Sequence, residues 1–402
     1  MGKRCNYNKN ECESLHLCIA SCFPPSKGPL SEYTYYLVKN FSKNTKISKV
    51  TVLADKIGDE EEGVLIEDRK IKVVRCWNLN DILTPVNIVR KIHEIKPDII
   101  YFNLVFRHFS SNRLINFLGL CTPAIAKLLN MPVVVTLHSI AGILDVNAIG
   151  YSNSVINKIG IGLATKLILK ADVVSLTHRH LVNIVREKYG GKNVLYIPHG
   201  TFNEPIADYN FGSKRLLLFG KMGLYKNPRL ALEAFKEVVD KDREAELVIA
   251  GSSHPLNPGF LESILERYKE IPNVKVIGYI PENELQNIFM TSTAVVLPYT
   301  ISTWSSGVFV LASMYGRPII AADLPDFREL VKEGAGIILF PIGDRESLVK
   351  TMQSILYNEE LQKKLGWANL QWAKQHNSFN QVATRLVEVF IDLLDRRKKS
   401  LH

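Results

Sequence analysis

Two lysines, Lys221 and Lys226, occur five residues apart in the segment Gly220 to Lys226, which follows an apolar run and precedes a helical pattern. A loop in this position places ammonium groups beside a helix N-terminus, where free backbone amides add partial positive charge. Such an arrangement can neutralise a diphosphate. The spacing alone is also compatible with two solvated loop lysines.

A second segment combines hydroxyl groups with the start of a helix. Ser305, Ser306 and Gly307 precede an apolar helical pattern, and Tyr299 comes shortly after the preceding apolar run. Hydroxyls and free amides at a helix start can bind an oxyanion, and glycine lets a ligand approach closely. We predict a phosphate contact here, while an ordinary N-cap role for Ser306 is compatible with the same residues.

The loop from Phe23 to Ser31 is rich in Gly and Pro, contains Gly28 and leads into a helix that begins near Glu32. A loop of this composition at a helix start suits either an anionic group or a tightly packed backbone. The residues alone do not separate the two interpretations.

Four histidines of the first half are further candidates. His138 ends an apolar run and His199 follows a proline in a turn. Either histidine could contact a ligand in a cleft, or could pack or form part of a hinge. His178 and His180 are close in sequence but lack a nearby acidic third ligand, so we interpret them as surface residues rather than a metal site.

The composition limits the class of protein. The chain has 402 residues, of which 46% are apolar and 22% charged, which is enough for two or three domains with their own cores. Six cysteines in this length are too few for a disulfide framework, so we expect reduced thiols. Neither a membrane-spanning run nor a signal-peptide core is evident, so we expect a soluble protein of the cytoplasm.

The net charge of +10 lies entirely in the first half, where residues 1–200 carry 26 Lys and Arg against 16 Asp and Glu. This excess suits an anionic membrane surface, a phosphorylated lipid, nucleic acid or simple solubility. The segment from Ala141 to Lys170 is apolar and basic, which indicates either an interfacial helix or a buried helix with snorkelling lysines. The aromatic and basic interleaving of a nucleic-acid site is missing, so we expect no nucleic-acid partner.

The elements that must position these residues form a regular pattern. Short β-branched runs alternate with helical patterns, which is typical of parallel sheets covered by helices. We predict seven strands in the first half and five in the second, separated by the turn-forming segment 198–212. The predicted fold class is α/β with two doubly wound domains, whose ligands would bind at the carboxyl ends of the strands.

The second half resembles the nucleotide-binding domain of family 4 glycosyltransferases, which have the GT-B architecture of two facing Rossmann-like domains with a cleft between them. The likeness rests on the order and spacing of several short blocks rather than on any one of them. The blocks are Leu218 to Lys226, Leu232 to Phe235, Leu247 to Gly251, Val276 to Pro281, Ala294 to Pro298, Gly316 to Ile320 and Glu329 to Val331. A thinner likeness in the first half includes Val133 to His138 and Ile197 to Gly200.

The resemblance implies a role for several residues. Lys221 and Lys226 would stabilise the leaving nucleotide diphosphate, and His138 would touch the donor sugar. The two glutamates that the family commonly carries fall on Trp304 and Ala312, whose side chains cannot accept a hydrogen bond. This indicates a variant branch, in which Glu329 or backbone groups would hold the ribose.

The resemblance also implies the domain organisation. We expect an N-terminal tail at residues 1–14, an acceptor-side domain at residues 15–203, a nucleotide-sugar-binding domain at residues 204–375 and a C-terminal helix at residues 376–402 that packs on the first domain. The donor site would comprise Gly28, His199, Gly220, Tyr299, Ser305, Ser306, Gly307 and Glu329, with Lys221, Lys226 and His138 as catalytic residues.

The function implied is transfer of a sugar from a nucleotide-diphosphate sugar to a hydroxyl of a glycan or lipid-linked acceptor, with retention of configuration, in cell-surface polysaccharide or glycoconjugate synthesis. We expect no cofactor and no required metal, and a cytoplasmic location that includes peripheral attachment to the inner face of the membrane. The alternatives are a nucleotide-sugar epimerase of the same fold and a non-catalytic protein that binds nucleotide sugars or glycans.

Overall fold

The computed structural model describes residues 14–58, 68–138, 155–200, 213–254, 257–301, 307–376 and 378–400. These residues form two α/β domains, each built on a parallel sheet flanked by helices. The predicted pair of doubly wound domains is confirmed. No helix in the described ranges has the length and apolar character needed to cross a bilayer.

Within the described residues, the first domain contains a seven-stranded sheet and six helices. Its strands are β1 (Leu15–Ala20), β2 (Ile47–Asp55), β3 (Ile71–Trp77), β4 (Ile99–Leu104), β5 (Val133–Leu137), β6 (Val173–Leu176) and β7 (Val194–Tyr196). Its helices are α1 (Ser31–Lys43), α2 (Thr84–Ile95), α3 (Arg113–Leu120), α4 (Thr122–Leu128), α5 (Val155–Ile168) and α6 (Arg179–Tyr189). The strand order β3-β2-β1-β4-β5-β6-β7 changes direction between β1 and β4.

The second domain contains a six-stranded sheet. Its strands are β8 (Arg215–Phe219), β9 (Glu246–Ala250), β10 (Val274–Ile277), β11 (Ala294–Leu297), β12 (Ile319–Ala322) and β13 (Ile337–Phe340). The helices that follow are α7 (Pro228–Lys241), α8 (Phe260–Arg267), α9 (Glu282–Met290), α10 (Gly307–Met314), α11 (Pro325–Lys332), α12 (Arg345–Leu356), α13 (Glu359–His376) and α14 (Phe379–Ser400). The order β10-β9-β8-β11-β12-β13 changes direction between β8 and β11. Ligands of open α/β sheets bind where the order changes.

The twelve predicted strands are all present, with ends that shift by two residues at most, but β13 was missed. This strand has only four residues, and it lies between the turn formers Gly334 and Gly336 on one side and Pro341 on the other. Its pairing with β12 stabilises it. Short runs beside glycine and proline resemble loops in a sequence, because tertiary pairing is not visible there.

Each face of the first sheet has its own core. Helices α2, α4, α5 and α6 pack on one face, and α1 packs on the other together with the C-terminal helix α14. The ring of Phe390 in α14 lies 5.8 Å from the ring of Phe41 in α1 and 5.7 Å from that of Tyr101 in β4. The chain therefore returns from the second domain to complete the core of the first.

Truncation of this anchor should destabilise the first domain. Phe390 is fully buried, so we expect Phe390→Ala to lower the free energy of unfolding by about 3–5 kcal/mol. Urea denaturation followed by circular dichroism measures this. The exposed neighbour Glu388 on the same helix supplies the control Glu388→Ala, and equal losses in the two variants would contradict a core role for α14.

Candidate functional site

Lys226 is a buried cation at the carboxyl end of β8. A 3-10 turn, Leu224–Lys226, directs its side chain back beneath the strand end, where Nζ donates a hydrogen bond to the Phe219 carbonyl at 2.9 Å. Nζ also lies 5.6 Å from the centre of the Tyr299 ring. Lys226 is 8% exposed, and no ion pair joins it to a carboxylate in the described part of the chain. Burial lowers the pKa of Lys226 from its usual value of 10.5 to about 8.

The N-terminus of α10 meets Lys226 at Gly220. Gly220 has a φ of +98°, and a Cβ on it would lie 2.7 Å from Lys226 Nζ and 3.6 Å from Val308 Cγ2. Val308 is in the first turn of α10, which begins at the exposed Gly307. The glycine therefore allows the ammonium group and the positive end of a helix dipole to approach each other. This combination attracts an anion.

Backbone contacts connect the loops after β8 and β11. The amide of Thr300 donates to the carbonyl oxygen of Tyr225 at 2.9 Å, and the rings of Tyr225 and Tyr299 are 6.0 Å apart. These two strands flank the position where the strand order changes. The predicted residues Lys226, Gly220 and Tyr299 thus lie together at the expected ligand-binding position of the sheet.

Lys221 and His254 add two further basic groups. Lys221 is exposed. His254 follows β9, its amide donates to the Met222 carbonyl at 2.8 Å, and its ring centre lies 6.2 Å from that of Tyr225. Partial burial lowers the pKa of His254, and the nearby charges of Lys221 and Lys226 lower it further. Our sequence reasoning missed His254, although its position just after a strand was a usable signal.

Three positions of the α10 loop, Trp304, Ser305 and Ser306, lie outside the described residues. Ala312, on α10, is fully buried and offers no polar side-chain atom. The contacts predicted for Ser305 and Ser306 therefore stay predictions.

Glu329 lies in an ion cluster that joins the two domains. Arg179 of α6 has its Nε atom 3.7 Å from Glu329 and 3.1 Å from Glu333 of the same helix α11. The Arg179 guanidinium also stacks 4.6 Å from the ring centre of Tyr196. The structure therefore gives Glu329 a contact across the domains, and its predicted contact with a ribose stays a prediction.

In the first domain, His138 and His199 pack around Tyr33. His138 follows β5, and its Nε2 atom lies 2.8 Å from Asn103 Oδ1. Its ring centre is 4.6 Å from that of Tyr33 and 5.2 Å from that of His199. Burial, and then the neighbouring His199, lower the pKa of His138 well below its usual value, and burial lowers that of His199 to about 4. Both imidazoles are neutral at pH 7.

Tyr33 also contacts the two segments that connect the domains. The amide of Gly200 donates to the Tyr33 hydroxyl at 3.2 Å, and the ring of Phe379 lies 4.9 Å from the Tyr33 ring. A Cβ on Gly200 would lie 2.8 Å from Phe379. The predicted residue His199 is therefore part of a packed junction next to the site.

Four buried polar atoms along the carboxyl edge of the first sheet have no hydrogen-bond partner in the described structure. They are Ser31 Oγ at the start of α1, His108 Nδ1 after β4, His138 Nδ1 after β5 and Thr177 Oγ1 after β6. Buried polar groups in proteins nearly always have a partner. Each of these four atoms is therefore left for water or a polar ligand to satisfy.

The Gly28 loop is held by its own residues. The Gly28 amide donates to Ser26 Oγ at 3.0 Å, and Asp55 accepts the hydroxyl of Ser26 and the amide of Phe23. A Cβ on Gly28 would lie 2.4 Å from Cys22 Sγ. These contacts favour the tightly packed backbone over the anion site as the reason for glycine here.

The histidine pair His178 and His180 is separated by the start of α6, with His178 at the N-cap position. Across the described ranges, no group of three His, Cys, Asp or Glu side chains is placed to hold a metal ion.

Comparisons with known proteins identify a family likeness and the fold. Residues 213–358 match the family model described as Glycosyl transferases group 1. The chain is 23% identical over 212 residues to phosphatidyl-myo-inositol mannosyltransferase of Mycobacterium leprae (strain TN), an alignment that covers 50% of this chain and 54% of that protein. The chain spans about half the length of the curated relatives that it matches.

Solved structures resemble nearly the whole chain. Sucrose-phosphate synthase from Thermosynechococcus elongatus superimposes with a TM-score of 0.73 at 16% identity, over 95% of this chain and 100% of that one. HepE from Anabaena, in complex with UDP-glucose, gives 0.69 at 15% identity, over 94% and 100%. At such identities the likeness establishes the fold alone. The chain has the GT-B fold of two Rossmann-like domains.

A methyl group at Gly220 should displace Lys226. Gly220→Ala places a Cβ against Nζ and strains a backbone with positive φ, so we expect a loss of stability of about 1–3 kcal/mol and faster labelling of Lys226 by an amine reagent. Urea denaturation and mass spectrometry measure the two effects. Gly259 has a φ of +73° but open space around it. The control Gly259→Ala should therefore lose stability through backbone strain without changing the labelling of Lys226. Equal labelling of Lys226 in the two variants would contradict the contact between position 220 and Nζ.

Proposed function

We propose that the protein is a glycosyltransferase that moves a sugar from a nucleotide-diphosphate sugar to a hydroxyl of a glycan or lipid-linked acceptor. We place it in cell-surface polysaccharide or glycoconjugate synthesis, at the cytoplasmic side of a membrane. The match of residues 213–358 to a glycosyltransferase family and the GT-B fold support the reaction class. The named activity of the mannosyltransferase relative supports a sugar donor.

The observation that carries the proposal is the buried ammonium of Lys226. A buried charge without a carboxylate partner lowers the stability of the folded protein. Such a group is therefore a candidate for ligand binding or catalysis. Lys226 and the N-terminus of α10 converge beside Gly220, so the β-phosphate of the donor would bind there. Negative charge grows on its oxygens as the bond to the sugar breaks, and preorganised positive charge lowers that barrier.

The remaining donor contacts follow from the surrounding residues. We propose that Lys221 and His254 contribute charge at the outer side of the diphosphate, while Ser305, Ser306 and Gly307 bind phosphate or the adjoining sugar. Glu329 or backbone groups would hold the ribose. The structural relative HepE was solved with UDP-glucose, which supports a nucleotide sugar as the ligand class.

The acceptor would bind along the carboxyl edge of the first sheet. Ser31, His108 and Thr177 each contribute a buried polar atom without a partner there, and hydroxyl groups of a sugar can satisfy such atoms. We propose that neutral His138 contacts the donor sugar from this side, through the Nδ1 atom that lacks a partner.

We propose retention of configuration and no required metal. An inverting reaction needs a general base at the acceptor, and the strongly lowered pKa of His138 makes it a weak base near pH 7. A second candidate base, Glu32 in the first turn of α1, has an exposed side chain. For the diphosphate, Lys226 and α10 would supply the positive charge that a divalent cation supplies in other transferases.

Calorimetric titration with uridine, guanosine and adenosine diphosphate sugars, with and without magnesium, tests the proposal. We expect one nucleotide class to bind in both conditions, and donor consumption to increase when acceptor glycans or lipids are added. Failure of every donor to bind would overturn the proposal. Conversion of the donor to an epimeric sugar without acceptor would instead identify an epimerase, and binding without turnover would identify a binding protein.

Removal of the buried charge should affect turnover and its pH dependence. We expect Lys226→Met to lower kcat by about 10²- to 10³-fold. Burial lowers the pKa of Lys226 to about 8, so the free protein holds the charge below that pH and loses it above. Donor affinity should therefore fall by up to about tenfold per pH unit above the pKa in the wild type and stay flat in Lys226→Met.

Calorimetry at several pH values and steady-state rates measure these effects. The exposed Lys236 of α7 gives the matched control Lys236→Met, which should keep both the rate and the pH profile of the wild type. Wild-type turnover in Lys226→Met would remove this residue from the mechanism.

A further inference from the structure

Large aliphatic side chains are exposed on four neighbouring helices of the first domain. Eleven of the nineteen large hydrophobic residues that are exposed in the described structure lie between positions 79 and 163. Ten of them form what we call the aliphatic face: Ile82, Leu83, Val86, Leu114, Ile125, Leu128, Leu129, Val155, Ile159 and Leu163. Concentration on one part of the surface distinguishes these residues from scattered exposed apolar side chains, which are common.

The aliphatic face belongs to one side of the molecule. Helices α2, α3, α4 and α5 contact one another, and their inner surfaces share one core against the sheet. The opposite side of that sheet carries α1 and α14. The outer surfaces of these four helices therefore lie on the same side of the sheet and face away from the core.

Helix α5 shows the pattern most clearly. Val155, Ile159 and Leu163 are 71%, 64% and 49% exposed, and their spacing of four residues places them in one row along the helix. Lys158 and Lys166 are exposed on the same helix, and Ala164 is buried. The outer row is thus aliphatic with flanking lysines, which is the pattern of a helix that lies at a membrane surface.

The segment of chain that carries the aliphatic face is strongly basic in sequence. Residues 82–170 contain nine Lys and Arg but only three Asp and Glu. The C-terminal end of α14 adds to it, because Arg397 donates to the carbonyl of Asn130 at 2.8 Å, next to Leu128 and Leu129. That contact brings the basic run from Arg396 to Lys399 to the edge of the face.

We propose that the aliphatic face docks the protein on an anionic lipid bilayer. Aliphatic side chains would enter the boundary between headgroups and acyl chains, while the surrounding lysines and arginines would contact anionic headgroups. The positive charge favours this occupant over a second copy of the chain, which would bring a like charge to the contact. The exposed members are all Leu, Ile or Val, whereas protein interfaces are enriched in aromatic residues.

Docking in this way would place the acceptor edge near the lipid. Leu83, Leu114 and Val155 lie at the starts of α2, α3 and α5, beyond the carboxyl ends of the strands that precede them. The unpartnered atoms of His108 and His138 lie at the same edge. This location extends the membrane partner and lipid-linked acceptor of the proposed function, but the docking itself does not depend on the reaction.

Vesicle co-sedimentation of the full chain tests the docking. The probes are vesicles of phosphatidylcholine alone and of phosphatidylcholine mixed with phosphatidylglycerol. We expect binding only to the anionic vesicles, weaker at high salt. Lys158→Glu with Lys166→Glu should weaken it by about 25-fold or more, since each basic residue near the surface contributes about fivefold. Val155→Ser with Ile159→Ser should weaken it by about tenfold per residue.

Matched controls come from exposed positions elsewhere. Lys236→Glu with Lys350→Glu controls for charge, and Val276→Ser with Tyr279→Ser controls for apolar surface; both should bind like the wild type. The proposal would be overturned by equal binding to both vesicle types or by unchanged binding of the variants in the aliphatic face. It would also be overturned if light scattering showed a dimer that Ile159→Ser dissociates. Calorimetric titration of the same variants with donor tests the transferase proposal separately, because none of these residues belongs to the donor site.

Discussion

The buried ammonium group of Lys226 is the constraint on which the organisation of the second domain depends. Its hydrogen bond to the Phe219 carbonyl holds one cation at the strand end, and the missing side chain of Gly220 leaves room for it beside α10. Removal of this charge from water is unfavourable, as the pKa of about 8 shows. An anion bound beside Nζ would offset this cost, and in the proposed function that anion is the diphosphate of the donor.

The two domains divide the chemistry according to what their strand ends carry. The second sheet presents charge, through Lys226 and the amides of α10. The first sheet presents neutral polar atoms, since His138 and His108 are held uncharged by burial. Under the proposed function, the charged leaving group would bind at the second sheet and an uncharged sugar hydroxyl would bind at the first.

The fold was largely predictable because strand period and helical period are local signals, and β13 was missed where pairing rather than composition stabilises the strand. The position of Lys226 just after a strand could also be predicted from the sequence. Its burial could not, because that burial depends on Tyr299 and α10, which are distant in sequence. His254 was not among the predicted residues, although it lies in the loop that follows β9. The apolar and basic segment at Ala141–Lys170 left two interpretations open. In the described part, α5, Ala164 is buried while Ile159 is exposed, so one side of the helix packs on the core and another leaves apolar side chains at the surface.

The contacts of Tyr33 have a mechanical consequence. Both stretches of polypeptide that connect the halves, one at Gly200 and one at Phe379, touch this single side chain. Two connections that meet at one side chain would form a pivot, about which one domain could rotate against the other once the ion pairs of Arg179 with Glu329 and Glu333 open. Opening and closing of the two domains would then be a rotation about Tyr33. This side chain packs against His138, the residue that we propose contacts the donor sugar.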